Sequence, residues 1–132
     1  MVQRRNSIAR CSAIVFIAGL STSTAAFAAA SPSGQWTRDD GSERARISRC
    51  GTKICATTTW VKNPNGMEKP GDKFIMTITA GGPGHWMGSA LDPQRNLRYT
   101  VDLLMAGDRL TTRGCLSGSA ACISANWTRV GN

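Results

Sequence analysis

Polar and apolar residues alternate along most of the chain beyond residue 33. In the stretch LRYTVDL, residues 97–103, every second residue is apolar or aromatic and the residues between them are polar. A period of two is typical of a strand with one buried face, whereas an amphipathic helix repeats about every 3.6 residues. The stretch is therefore predicted to be a half-buried strand.

Seven further segments are predicted to be strands, and residues rich in Gly, Pro, Asn and Asp separate them. The segments are QWTR, RARISR, ICATTTWV, FIMTITA, HWMGSAL, RLTTRGC and CISANWTR. Most of the links are short, which favours antiparallel neighbours in a meander. A meander of this size can close on itself and so remove its exposed edges. The predicted fold class is all-β, a small antiparallel meander barrel of about eight strands.

The tripeptide Trp-Thr-Arg occurs in both the first and the last predicted strand, at residues 36–38 and 127–129. Closure of the barrel would make these two strands neighbours. The tryptophan and arginine of the last copy share a face with two apolar residues, so that face is predicted to point inward. We expect each guanidinium to lie on an indole and the two pairs to plug one mouth of the barrel. Chance repetition is the alternative. The predicted closure residues are Trp36, Arg38, Trp127 and Arg129.

The first 30 residues have the order of a secretory signal peptide. Three arginines precede a short apolar run from Ala13 to Leu20, and small residues follow it. This run is shorter than the approximately 20 apolar residues that span a bilayer. We therefore predict a signal peptide over residues 1–30, cleaved after Ala28 or Ala30, and a single β-barrel domain over residues 31–132. The protein is expected to be exported, to the periplasm or beyond, with no transmembrane segment after cleavage.

The charge balance is basic. The whole chain carries a formal net charge of +8, and removal of residues 1–30 takes away three arginines and no acid, leaving +5. This balance favours an anionic partner. Nucleic acid is not favoured, because the basic residues form no run and no aromatic stacking platform accompanies them. Four arginines fall on outward positions and could form a basic face, or be an ordinary solvated surface: Arg44, Arg46, Arg98 and Arg113.

Four cysteines follow residue 30, which in an exported domain predicts two disulfides. Three pairings are possible, and we favour the two local ones because each brackets turn residues. A four-thiolate zinc site is the rival interpretation, but its cysteine pairs are usually two to four residues apart. No metal or other cofactor is predicted. The favoured pairs are Cys50 with Cys55, and Cys115 with Cys122.

Candidate chemistry is sparse. His85, the only histidine, could act as a general base oriented by Asp92 or Asp102, or be a surface residue at a strand start. No nucleophile motif accompanies it. Trp60, Trp86 and Tyr99, with His85 nearby, are the candidate ligand-binding residues. Because the predicted inward residues are bulky, we expect a filled interior rather than a ligand cavity.

The chain resembles two groups of known proteins. The segment Gly34-Gln35-Trp36, together with an arginine at the end of the last strand, resembles the calycin barrels, in which such a tryptophan packs on such an arginine. The segments GQWTRDDG, ISRCGTKICATTTWVKNPNG, HWMGSALDPQRNLRYTVDLLMAGDRLTTRGC and ANWTRV resemble a bacterial secreted family, domain of unknown function 2147. The chain departs from that pattern at WMGSALDP and MEKPGDK. The resemblance implies a calycin-like barrel in an exported protein and implies no catalytic residue.

Three functions follow as hypotheses. The preferred one is a non-catalytic binding module of the bacterial envelope that holds a small hydrophobic or amphiphilic molecule, or an anionic partner. The second is a hydrolytic enzyme that uses His85. The third is an inhibitor or assembly partner of an acidic periplasmic protein.

Overall fold

The computed structural model describes residues 31–131, and all regular elements in this range are strands. The predicted signal peptide lies outside the described residues. The strands are β1 (Gly34–Arg38), β2 (Glu43–Cys50), β3 (Lys53–Val61), β4 (Lys73–Gly82), β5 (His85–Asp92), β6 (Leu97–Ala106), β7 (Arg109–Leu116) and β8 (Cys122–Arg129). The part of the chain that the structure describes contains no helix that could span a membrane.

The strands form one closed antiparallel barrel in chain order, so the prediction of an all-β meander barrel is confirmed. The barrel closes where β1 pairs with β8, and there Trp36 lies opposite Arg129 while Arg38 lies opposite Trp127. The two copies of Trp-Thr-Arg therefore form the seam. Since each strand is paired on both sides along at least part of its length, closure removes most of the free edge that an open sheet would present.

The meander places alternate connections at opposite ends of the barrel. At one end, called here the closed end, lie the tight turns β2–β3, β4–β5 and β6–β7 and the incoming residues 31–33. At the other, called the open end, lie the turns β1–β2, β5–β6 and β7–β8 and the long β3–β4 loop, residues 62–72. The most deeply buried side chains include Trp36, Leu103 and Leu110, which pack against one another in the barrel interior.

Two local disulfides join neighbouring strands, which confirms the favoured pairing. The Cys50–Cys55 bond links β2 to β3 at the closed end, and the Cys115–Cys122 bond links β7 to β8 at the open end. With these thiols oxidised, they are not available as zinc ligands. Within residues 31–131, no cluster of three or more His, Cys, Asp or Glu residues could hold a metal ion.

Candidate functional site

The barrel encloses a cavity of about 350 Å³. The expectation of a filled interior was therefore wrong. The reason is the number of small residues on the inner face: Ala45, Ala56, Ala90, Gly114 and Ala125 all line the cavity. The larger inward side chains do not fill the space that these small residues leave. Eight-stranded barrels either fill their interior with side chains or leave space inside, and the interior of this barrel is not filled.

The cavity wall is largely apolar. Trp36, Leu103 and Leu110 line it and are almost completely buried. Nearer the open end, the rings of Phe74 and Tyr99 meet edge to face, with their centroids 5.8 Å apart. No hydrogen bond joins the Tyr99 hydroxyl to another described residue. Tyr99 is partly buried and lines the cavity, so its hydroxyl is free to hydrogen-bond with solvent or with a bound molecule.

The wall is incomplete on one side of the open end. The pairing of β1 with β8 covers only residues 36–38 and 127–129, so the first half of β8 extends beyond β1. Ile123 lies in this half, on the same face as Ala125 and Trp127, and lines the cavity. It is nevertheless 67% exposed. The exposure of this inward apolar residue shows that the cavity is accessible to solvent beside β8.

Asp92 and Arg95 secure the long β3–β4 loop at the open end. Asp92 is 1% exposed, and its carboxylate accepts hydrogen bonds from Gln94 and from the Arg95 guanidinium, the latter at 2.9 Å. Arg95 also donates to Asp72 at 3.1 Å and to the carbonyl of Met67. One arginine thus ties the β5–β6 turn to both the middle and the end of the loop.

The second buried carboxylate at the open end is Glu43. Its pKa is shifted in the opposite direction to that of Asp92. Glu43 accepts a hydrogen bond from the Thr58 hydroxyl at 2.8 Å, and Arg38 Nη1 lies 3.7 Å from its other oxygen. Burial raises the pKa of Glu43 above its ordinary value, and the nearby Glu68 carboxyl raises it further. Burial also acts to raise the pKa of Asp92, but the hydrogen bonds from Arg95 and Gln94 outweigh it and lower that pKa.

At the closed end, Arg129 and the incoming chain cover the barrel. The guanidinium lies 4.3 Å from the centroid of the Trp36 ring and donates to the carbonyl of Ser33 at 2.7 Å. The indole of Trp36 donates to the carbonyl of Pro32 at 2.9 Å. Arg38 lies 5.9 Å from the Trp127 ring, but it faces the cavity. The expectation that both pairs plug one mouth therefore fits Arg129 and does not fit Arg38.

The structure does not bring together the four candidate ligand-binding residues. Only Tyr99 lines the cavity. Strict alternation from the inward Thr58 would also place Trp60 inside, but a β-bulge intervenes: Ala45 pairs with Thr58 and Arg44 pairs with Trp60, which leaves Thr59 as the extra residue. The bulge turns Trp60 to the outer face, where it is 43% exposed.

Trp86 and His85 lie at the closed end of β5. Trp86 packs against the core cluster without lining the cavity. His85 Nε2 lies 3.0 Å from a carboxylate oxygen of Asp102 on the neighbouring strand, while Asp92 is at the far end of β5. No serine, threonine or cysteine side chain among the described residues is hydrogen-bonded to His85. The arrangement is a histidine–carboxylate pair without a nucleophile.

The comparisons with known proteins give a family and no activity. The model of a family described as an uncharacterized protein conserved in bacteria (DUF2147) matches residues 34–129. The chain belongs to this family. The DUF2147 match begins with β1 and ends with β8, so it covers the complete barrel. Searches of curated proteins and of solved structures found no match.

Gly34 and Gly88 of this DUF2147 barrel stand where a side chain would collide with its surroundings. Gly34 has a φ of +139°, and a Cβ there would strike the Arg129 guanidinium. A Cβ on Gly88 would strike the backbone carbonyl of Thr77 on β4. The glycine of Gly34-Gln35-Trp36 at the seam and that of Trp86-Met87-Gly88 in the β4–β5 pairing therefore have structural explanations.

Proposed function

We propose that this protein is a non-catalytic binding module that holds one small apolar or amphiphilic molecule inside its barrel. The observation that carries the proposal is the cavity of about 350 Å³, which opens beside β8. Its volume falls at the lower end of the approximately 300–1,000 Å³ that ligand sites occupy. The ligand is therefore compact, since a long lipid would not fit inside.

The lining supports an amphiphile rather than a pure hydrocarbon. The apolar part of the cavity nearer the closed end favours burial of a hydrophobic body. The Tyr99 hydroxyl offers one hydrogen bond between that part and the open end. Arg38 and Glu43 reach the cavity nearer the open end. A molecule with an apolar body and a hydrogen-bonding head would match this order of groups. Export belongs to the same proposal, and the two disulfides are compatible with it.

The proposal can be tested with the uncharged fluorescent probe N-phenyl-1-naphthylamine and a variant that fills the cavity. A Cβ added at Gly114 would lie 3.9 Å from Tyr99 and from Val101, which is ordinary contact, so Gly114→Leu places its side chain in the cavity without a backbone clash. We expect the wild type to enhance probe fluorescence and to saturate at one probe per chain. Gly114→Leu should weaken binding at least tenfold.

The matched control is Ser124→Leu, which adds a larger side chain at an exposed position on the neighbouring strand β8. This variant should bind the probe as the wild type does. Ala125→Leu is a second filling variant, in case Gly114→Leu melts much earlier than the wild type. Absence of saturable binding by the folded wild type, or equal binding by the filled and control variants, would overturn the proposal.

A further inference from the structure

The outer face of β2–β4 carries a cluster of cations. Cross-strand pairing places Arg46 beside Thr57, and Thr57 beside Lys73, in one row across three strands. Arg44 lies two residues from Arg46 on the same face, so it is one row nearer the open end. Neighbouring strands are about 4.8 Å apart, so these three cations project from a small area of the sheet.

The charges of this cluster are not neutralised by ion pairs within the described residues. The arginines that form ion pairs there are other residues, namely Arg38, Arg95, Arg109 and Arg129. The residues that separate the clustered cations on β3 are threonines. The outward residues of β1 that pair with β2 beside them, Gln35 and Thr37, are also neutral. The cluster therefore presents a net positive charge to the solvent.

A half-exposed tryptophan completes this surface. Trp60 lies opposite Arg44, and the guanidinium is 5.4 Å from the centroid of its ring. Tryptophan is enriched at membrane–water interfaces because one part of its ring system is apolar and its N–H group is polar. Farther along at the same end of the barrel, Met67 of the β3–β4 loop is 80% exposed, and Lys62 and Lys69 belong to that loop.

We propose that the basic face, defined as Arg44, Arg46, Trp60 and Lys73, docks on the surface of an anionic lipid bilayer. The three cations contact lipid phosphates, and Trp60 enters the interfacial layer. Charge alone would equally suit a soluble polyanion, but such a partner has no use for an exposed tryptophan within the patch. The inference concerns the outside of the barrel, so it holds whether or not the cavity binds a ligand.

Vesicle binding of the mature protein tests this inference. Sedimentation would compare vesicles of phosphatidylcholine with vesicles that contain phosphatidylglycerol in addition, at low and at high salt. We expect binding only to the anionic vesicles, weakening as salt screens the charges. The double variant Arg44→Gln/Arg46→Gln should bind roughly 30-fold more weakly, which corresponds to about 1 kcal/mol for each arginine near an anionic surface.

The matched control is Arg98→Gln/Arg113→Gln. These two arginines are exposed on β6 and β7, so the control makes the same change in net charge on a different part of the barrel. It should weaken binding less than about threefold. Equal losses in the two double variants would overturn the inference, because net charge and not this face would then account for binding. Melting curves establish that each variant is folded.

Trp60→Thr separates a membrane from a soluble polyanion. Vesicles should shift the tryptophan emission of the wild type to the blue, and the variant should lose most of that shift together with part of its affinity. The same protein would be titrated with polyphosphate. If polyphosphate binds as tightly as the vesicles do, and Trp60→Thr changes neither affinity, the partner is a soluble polyanion and the membrane inference is wrong.

Discussion

The two ends of the barrel use the same tripeptide in different ways. At the closed end, Arg129 lies over Trp36 and donates to the carbonyls of Ser33 and Ser31. At the open end, Arg38 lies farther from Trp127 and faces the carboxylates of Asp40 and Glu43. One arginine covers the hydrophobic interior, and the other lines an accessible cavity.

This difference comes from what surrounds each arginine. The incoming residues 31–33 bring backbone carbonyls to Arg129, and these carbonyls hold the guanidinium on the indole. Arg38 has no such segment above it, because the chain turns directly into β2. The same local sequence therefore closes or borders the interior according to which groups the rest of the chain places around it.

The largest effect is expected from the buried carboxylate that organises the open end. Asp92→Asn removes the more deeply buried of the two carboxylate partners of Arg95 and should lower the free energy of unfolding by about 4 kcal/mol, as for other broken buried pairs. The folded-state pKa of Asp92 is lowered. Its contribution to the free energy of unfolding is therefore complete above the ordinary pKa of 3.8 and is lost as pH falls through the lower folded-state pKa. Denaturant unfolding as a function of pH measures both quantities.

Wild type and Asp92→Asn should therefore differ most near neutral pH and converge in acid. A constant difference between them down to the acid unfolding limit would contradict the assigned role of the charge.

The next effect tests the contrast between the two arginines directly. Arg129→Gln loses the indole contact and two hydrogen bonds to carbonyls, and should lower the free energy of unfolding by about 3 kcal/mol. Arg38→Gln has weaker contacts to lose and should cost about 1 kcal/mol. Only the Arg38 variant should change the affinity for an amphiphile with a polar head. Equal destabilisation of the two variants would refute the contrast.

The disulfides give a third comparison, since each end has one. Replacing either pair by serine should cost about 2 kcal/mol, because both close short loops. Cys122 directly precedes Ile123 at the cavity entrance, so removal of the bond between Cys115 and Cys122 should also weaken probe binding. Removal of Cys50 and Cys55 should leave probe affinity unchanged after a correction for the unfolded fraction. Urea unfolding and probe titration of both double variants make the comparison.

The smallest effect concerns Glu43. The folded-state pKa of Glu43 is raised. Its favourable contribution to the free energy of unfolding is therefore present below the ordinary pKa of 4.5 and is lost as pH rises through the folded-state pKa. Glu43→Gln keeps an acceptor for Thr58 and removes the charge, so it should melt at a slightly higher temperature than the wild type at neutral pH. The gain should disappear in acid. A lower melting temperature at neutral pH would show that the ion pair with Arg38 dominates instead.

Much of the fold could be predicted from local patterns in the sequence. Alternation in residues 97–103 predicted β6, the repeated Trp-Thr-Arg predicted that β1 and β8 meet, and the spacing of the cysteines favoured the two pairs that form. Each of these signals lies within one strand, one hairpin or one pair of matching segments. Strand formation and hairpin pairing depend mainly on such nearby residues, so the pattern was sufficient.

The candidate site was decided only by the tertiary structure. The cavity exists because small residues from five different strands, such as Ala56 and Gly114, face the same interior. No single segment of the sequence reveals this combination. The orientation of Trp60 depends on a bulge that is defined only by the pairing of β3 with β2. Alternation assigns a face while the count of residues stays regular, and one extra residue reverses it. The sequence therefore determined the barrel, whereas packing between distant strands decided what its interior can hold.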